Sequence, residues 1–193
     1  MSPRHTDDAL TVLLAAIDEV RLEHALMGGY AVVTWGVPRA TYDVDVLVES
    51  SPERLDRCFD ACAQRGFEVD EIYRKGWRDR VRDMPLVKVR LFRDGRAVTS
   101  DLFLVTTPFQ EAAFARRRDV QVPSLGRHVP VVSPADLVLF KLLAARPKDR
   151  ADVQNVLTVQ GVPDPDYLRT WARRLGVEEA LDRAIVEAQG PRG

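Results

Sequence analysis

Residues 26–50 read LMGGYAVVTWGVPRATYDVDVLVES, and the rest of the chain is organised around this stretch. From Tyr42 to Glu49 apolar residues alternate with period two, the pattern of a strand. On a strand, Asp43 and Asp45 share one face while Val44, Val46 and Val48 share the other. Carboxylates held side by side repel each other and lose hydration. A hard divalent cation, Mg²⁺ or Mn²⁺, relieves both costs, because it takes carboxylate oxygens together with phosphates. The Gly28-Gly29 pair upstream suits a tight turn whose amides can approach an anion closely. An Asp-x-Asp pair alone is commonly a solvated strand end, and a glycine pair alone is commonly only a turn. Their order, with thirteen residues between Gly29 and Asp43, is what makes the combination specific.

The 193-residue chain is long enough to bury a sizeable core in one domain with a helical extension. Its 28 Lys plus Arg against 29 Asp plus Glu leave a net charge of −1, so any contact with a polyanion must come from a local patch. No apolar run approaches the roughly 20 residues that span a bilayer, and MSPRHTDDAL lacks the apolar core of a signal peptide. These features lead to the expectation of a cytoplasmic protein with no membrane partner. Cys58 and Cys62 lie four apart on a helical stretch and read as buried free thiols; His5, His24 and His128 are dispersed, which argues against zinc.

Around the central stretch, the pattern predicts a helix over 6–25 capped by Thr6 and Asp7, and a short helix from Tyr30 to Trp35. A third helix starts at Ser51-Pro52 and runs to about Arg65. FEVDEIYR (67–74) reads as an edge strand. Residues 75–84 read as a charged loop carrying Arg78, Arg80 and Arg82 beside Trp77. LVKVRLF and AVTSDLFLV flank an Asp94-Gly95 turn and form a hairpin. Asp101 is a lone carboxylate in its second strand, either a surface acid or a third metal ligand.

Thr107-Pro108 opens a helix that ends near the basic run Arg116-Arg117-Arg118, read as a solvated helix end; one or two short strands follow over 120–132. Ser133-Pro134 opens the next helix, apolar over 138–145 except for Lys141. An ammonium there is costly unless it snorkels or finds an anion, and a triphosphate is such an anion. Pro147 breaks this helix, and Asp149 reads as the cap of the following one with Asp152 at its third position. Two amphipathic helices, 166–175 and 177–189, precede a frayed tail at 190–193. No Gly-x-Gly-x-x-Gly follows a strand, which excludes a Rossmann oxidoreductase.

Gly28-Gly29 followed by Asp43-Val44-Asp45-Val46 resembles the signature of the polymerase-beta-like nucleotidyltransferase superfamily. Arg39-x-Thr41-x-Asp43, with Lys141 and Pro147-Lys148-Asp149-x-x-Asp152, is similar to its AbiEii/AbiGii toxin-like branch; the resemblance covers residues 24–49 and 133–156, with Asp101 between. It implies an α/β (α+β) fold: a minimal mixed sheet flanked by helices over 1–132 and a C-terminal helical bundle over 133–193. It further implies Mg²⁺ or Mn²⁺ on Asp43, Asp45 and Asp101, an NTP donor, and NMP transfer to an acceptor hydroxyl. Lys141 and Asp152 would join the catalytic set, while Gly28, Gly29, Arg39, Thr41, Lys148 and Asp149 would meet the nucleotide. The implied role is the toxin half of a type IV toxin–antitoxin pair acting on tRNA, with a cognate antitoxin protein. The rival readings are a catalytically silent binding protein of the same fold and a transferase whose acceptor is an aminoglycoside-like small molecule or a protein hydroxyl.

Overall fold

A computed structural model describes residues 3–36, 38–49 and 51–189. The strands are β1 (His24–Leu26), β2 (Val44–Val48), β3 (Phe67–Val69), β4 (Asp79–Val81), β5 (Met84–Arg93), β6 (Arg96–Leu104), β7 (Arg118–Val122) and β8 (Arg127–Val131). They form one sheet in the order β3-β5-β6-β2-β1-β8-β7, with β4 also paired to β5. β2 runs parallel to β6 and β1 parallel to β8, whereas the remaining pairs are antiparallel. The helices are α1 (Pro3–Glu19), α2 (Gly28–Trp35), α3 (Pro52–Gln64), α4 (Glu71–Arg74), α5 (Pro108–Ala115), α6 (Pro134–Ala144), α7 (Pro147–Gln160), α8 (Pro165–Arg174) and α9 (Glu178–Gln189). A mixed sheet flanked by helices is the expected fold class.

The two sides of β2 are used differently. α1 packs against β2, β6 and α3, burying Leu10, Leu13, Leu14 and Ile17. Each such side chain contributes roughly 1.5–3 kcal/mol by leaving water. α2 lies against the Asp45 side of β2 and packs on α6 and α7. Trp35 Nε1 donates to the Val132 carbonyl at 2.8 Å, fastening α2 to the segment that leads into α6.

Several local readings hold. Ser51 caps α3, Thr107 and Gln110 make a reciprocal capping box on α5, and Ser133 caps α6. The β5–β6 hairpin turns at Asp94 (φ 49°) and Gly95 (φ 72°), both left-handed as a two-residue turn demands. Cys58 and Cys62 are buried and free.

Others are corrected. α1 already runs from Pro3, so Thr6 and Asp7 lie inside it, and Asp7 instead accepts the Tyr30 hydroxyl at 2.7 Å. The helix ends at Glu19 rather than Ala25, and His24–Leu26 becomes a strand between β2 and β8. Pairing on both sides outweighs helical periodicity there, because Ala25 and Leu26 are fully buried. The edge strand at 67–74 is only β3, followed by α4 with Asp70 accepting from the Ile72 amide. Within the expected loop, Asp79–Val81 pairs with β5 as β4. The 190–193 tail lies outside the described residues.

Candidate active site

Strand register builds the acidic part of the site. The parallel β2–β6 pairing sets Asp45 beside Asp101, and the antiparallel β5–β6 pairing sets Lys88 beside Asp101. Lys88, Asp101 and Asp45 therefore form a row across three neighbouring strands on one sheet face. Lys88 Nζ is 3.3 Å and 3.4 Å from the two Asp101 oxygens. Asp43 directly precedes β2, is largely exposed, and lies 3.9 Å from Lys148 Nζ. Burial pushes the Asp45 carboxyl up to about 6, and repulsion from Asp101 and Asp43 adds to it against the opposing pull of Lys141 and Arg146. Burial also raises Asp101, with Lys88 working in the other direction.

The glycine pair fits against these residues. It forms the first turn of α2 rather than a separate turn, and Met27 gives that helix no side-chain cap. A Cβ on Gly28 would stand 1.8 Å from Asp45 Oδ2, and Gly28 is left-handed at φ +58°. A Cβ on Gly29 would stand 2.2 Å from Thr41 Oγ1. The missing side chains thus let helix backbone touch the Asp45 carboxylate and the Thr41 hydroxyl. First-turn amides without a side-chain acceptor are suited to an anion.

The third part of the site comes from α6 and α7. Lys141 is 5% exposed and already partnered, donating to Asp149 at 3.0 Å and to Asp152 at 2.7 Å. The anion that a buried ammonium requires is thus supplied from within the chain, by two carboxylates of α7. The helix register is corrected as well: Arg146 is the N-cap of α7 and Asp149 its third residue, so Asp149 and Asp152 both face Lys141. Arg39 grips Asp152 with two nitrogens at 2.8 Å and 2.9 Å. Arg146 grips Asp149 in the same manner at 2.8 Å and 3.2 Å. Burial works against the Asp149 charge, but Arg146 and Lys141 hold its carboxyl below the usual range.

These parts enclose a cavity of about 470 Å³ lined by Gly29, Arg39, Thr41, Asp43, Asp45, Lys88, Asp101, Lys141, Arg146 and Lys148, among others. Gly28, Asp149 and Asp152 stand behind that lining. Lys88 and Arg146 were not singled out from sequence. Lys88 was legible: counting outward from the Asp94-Gly95 turn pairs it with Asp101. The basic run is engaged elsewhere, with Arg116 bonded to Asp164 and lying over Tyr167, and Arg117 bonded to Glu23. Trp77 is 60% exposed, with its indole N–H on Asp79 at 3.1 Å.

As a donor set, Asp43, Asp45 and Asp101 offer only carboxylate oxygens, which suit Mg²⁺ or Mn²⁺, and the raised Asp45 carboxyl is a group that a cation would stabilise. They are not a preformed cage: among the described residues no three Asp, Glu, His or Cys side chains converge for one ion. Asp43 instead leans toward Lys148 and Asp101 toward Lys88.

No protein-family model and no curated protein sequence matches the chain. Solved structures do match. An antigenic nucleotidyltransferase-like protein from Paracoccidioides brasiliensis superposes with TM-score 0.57 at 18% identity, covering 93% of this chain and 91% of that one. The antibiotic-resistance factor ANT(2″)-Ia in solution superposes with TM-score 0.63 at 15% identity, covering 94% and 97%. ANT(2″)-Ia in complex with adenylyl-2″-tobramycin gives TM-score 0.58 at 18% identity, covering 87% and 97%. At these identities the likeness assigns the fold: this chain is folded as a nucleotidyltransferase-like protein. Among the described residues, no helix is long and apolar enough to cross a membrane.

Proposed function

We propose that this protein is a metal-dependent nucleotidyltransferase that moves an NMP group from an NTP to an acceptor hydroxyl. The observation that carries the proposal is the in-register pair Asp45–Asp101 facing a wall of Arg39, Lys141, Arg146 and Lys148 across one cavity. The charge balance supports a metal. Arg39, Lys88, Lys141, Arg146 and Lys148 are matched by Asp43, Asp45, Asp101, Asp149 and Asp152, so a bare triphosphate would leave the site strongly negative. Asp43, Asp45 and Asp101 would hold Mg²⁺ or Mn²⁺, which when bound supplies Lewis-acid stabilisation of phosphoryl oxygens.

The chain's own residues then take distinct tasks. Lys148 and Arg146, both more than half exposed, draw in phosphate oxygens. First-turn amides of α2 meet the same anion. Asp101 takes the proton of the acceptor hydroxyl at its carboxylate, which stands beside Asp45 on the cavity face of the sheet. Lys141, Asp149 and Asp152 fix the position of Arg39 and Arg146 and so shape the cationic wall. In this reading Lys141 and Asp152 are positioning residues.

For the acceptor we propose tRNA, in the setting of a type IV toxin with a cognate antitoxin. The support is physical contact between the two elements shared with the AbiEii-like branch, Arg39 and Asp152. An aminoglycoside acceptor is favoured by the likeness to ANT(2″)-Ia, bound in one structure to adenylyl-2″-tobramycin. The matched charges of the cavity disfavour neither a polycationic nor an anionic acceptor, so the choice between them is left to labelling. The test is incubation with each α-labelled NTP and Mg²⁺, with total RNA in one arm and tobramycin in another. Label in the tRNA fraction supports the proposal, and label on tobramycin alone replaces the acceptor. No label in any arm, together with no thermal protection by NTP, would establish a catalytically silent protein.

A further inference from the structure

Among the described residues lining the carboxylate cavity, Lys88 is the cation that stands on a strand, β5. Its Nζ lies 3.3 Å and 3.4 Å from the two oxygens of Asp101, so it faces both at nearly equal distance instead of favouring one. Both oxygens of Asp101 are thus engaged by a cation that the chain itself supplies. Asp79 stands opposite Leu86, two residues from Lys88, and is the next acid along this face. It is taken by other donors, the Tyr73 hydroxyl at 2.8 Å and the Trp77 indole N–H at 3.1 Å. On its other flank, Asp101 has Asp45 beside it through the parallel β2–β6 register.

Stability does not account for the Lys88–Asp101 pair. The lysine side chain is 39% exposed and the aspartate 21%, and ion pairs this open to water contribute little to folding. Its position has a sharper consequence for the proposed metal. Asp101 lies between an ammonium on β5 and a second acid on β2. A divalent ion shared by Asp45 and Asp101 would meet the Lys88 ammonium on the same carboxylate, and the two positive charges repel. The lean of Asp101 toward Lys88 also accords with the lack, among the described residues, of three acids converging for one ion.

We infer that Lys88 is a tethered rival of the divalent ion: it competes for the Asp101 carboxylate and must leave it before Asp101 can join Asp43 and Asp45 on the ion. The inference rests on the metal-dependent transferase reading and names a positioning residue that sets how readily that site takes its ion. The test is Mn²⁺ binding to the full chain, read from the electron paramagnetic resonance signal of the free ion and so without turnover. Lys88→Met should bind Mn²⁺ about tenfold more tightly than the wild type. Lys88→Gln, equally neutral, should do the same, so the test stands even if Lys88→Met fails to fold. Lys88→Arg keeps a cation whose fork suits both oxygens of a carboxylate, and should bind Mn²⁺ no more tightly than the wild type. In an Asp101→Asn background the gain from removing the ammonium should vanish, because the two residues act through one contact. A lysine that only adds positive charge to the cavity would give the same gain with or without Asp101. Equal Mn²⁺ affinity in the wild type and the neutral variants, a gain that persists in Asp101→Asn, or Lys88→Arg binding as tightly as Lys88→Met would overturn the inference and leave the metal reading standing. Absence of Mn²⁺ binding from every variant would remove the metal reading, and this inference with it.

Discussion

Replacing Lys141 with methionine separates an ammonium kept for an external anion from one held by the protein itself. The side chain is 5% exposed and donates to Asp149 and Asp152 at 3.0 Å and 2.7 Å. Removing one partner of a buried ion pair costs about 3–5 kcal/mol, because the other charge is left without compensation. Here neither carboxylate is stripped bare, since Arg146 retains Asp149 and Arg39 retains Asp152. Methionine also fills most of the vacated volume with apolar atoms. The expected loss is therefore at the lower end, about 3 kcal/mol. For a chain of this length each kcal/mol corresponds to about 2–4 °C, so the melting temperature should fall by roughly 6–12 °C. Thermal and urea unfolding at neutral pH measure the loss. In an Asp152→Asn background the same substitution should cost about 1 kcal/mol less, because part of the stranded charge is gone. A methionine variant that melts at or above the wild-type temperature would refute this account and restore the reading of a lysine reserved for phosphate.

The Asp45 carboxyl stands at about 6 against an ordinary 3.8, so the unfolded chain ionises first and stability should fall as pH rises through that window. The whole drop is at most about 3 kcal/mol. Asp45→Asn should flatten it, and equal pH slopes in urea unfolding of the two proteins would count against the geometry. At mildly alkaline pH, Mg²⁺ should raise the melting temperature of the wild type more than that of Asp45→Asn, and chelator should reverse the difference; an equal response would remove Asp45 from the proposed metal set. Gly28→Ala introduces a Cβ 1.8 Å from Asp45 Oδ2 at φ +58°. It should destabilise by at least about 2 kcal/mol and abolish transfer, from left-handed strain and displacement of the carboxylate; wild-type melting and turnover would show that the close approach is unimportant. Ala145 caps α6 in the left-handed region at φ 54°. Ala145→Gly should therefore raise stability by about 1 kcal/mol, read as a small rise in melting temperature.

What was legible in the sequence follows from what is local. Period-two alternation revealed β2, β5 and β6, and the Asp94-Gly95 turn set the register of β5 on β6, which carries Lys88 to Asp101. Caps written as Ser-Pro or Thr-Pro marked the starts of α3, α5 and α6. β1 was hidden, because His24–Leu26 is too short to show a period and continues an apolar helical pattern. Its strand character comes only from lying between β2 and β8. The conformation of the glycine pair was misread for a related reason. A turn and a close approach demand the same residue type, and only the fold shows that Asp45 and Thr41 occupy the space of the missing side chains. The Lys141 partners were within reach, eight and eleven residues away. Placing them required the N-cap of α7 to be Arg146, which is not a residue type that announces a cap.

Two groups of carboxylates surround the cavity, and their environments assign them different work. Asp149 is held below the ordinary range by Arg146 and Lys141 despite its burial, so it stays charged well into acid and cannot serve as a proton acceptor near neutrality. Asp45 and Asp101 are raised, by burial first. The charged network has a mechanical task instead. Arg39 and Asp152 are 113 residues apart and meet through a two-pronged bond. Arg39 belongs to the loop that carries Thr41 and Asp43 toward β2, and Gln160 at the end of α7 also bonds the Trp35 carbonyl at 2.8 Å. α7 therefore holds the start and the middle of the segment between α2 and β2, and Lys148, 3.9 Å from Asp43, reaches its end, so a shift of α7 would move Asp43 relative to Asp45. On this argument the proposed chemistry belongs to the raised carboxylates on the sheet, and the second motif sets the distance across which they face the cationic wall.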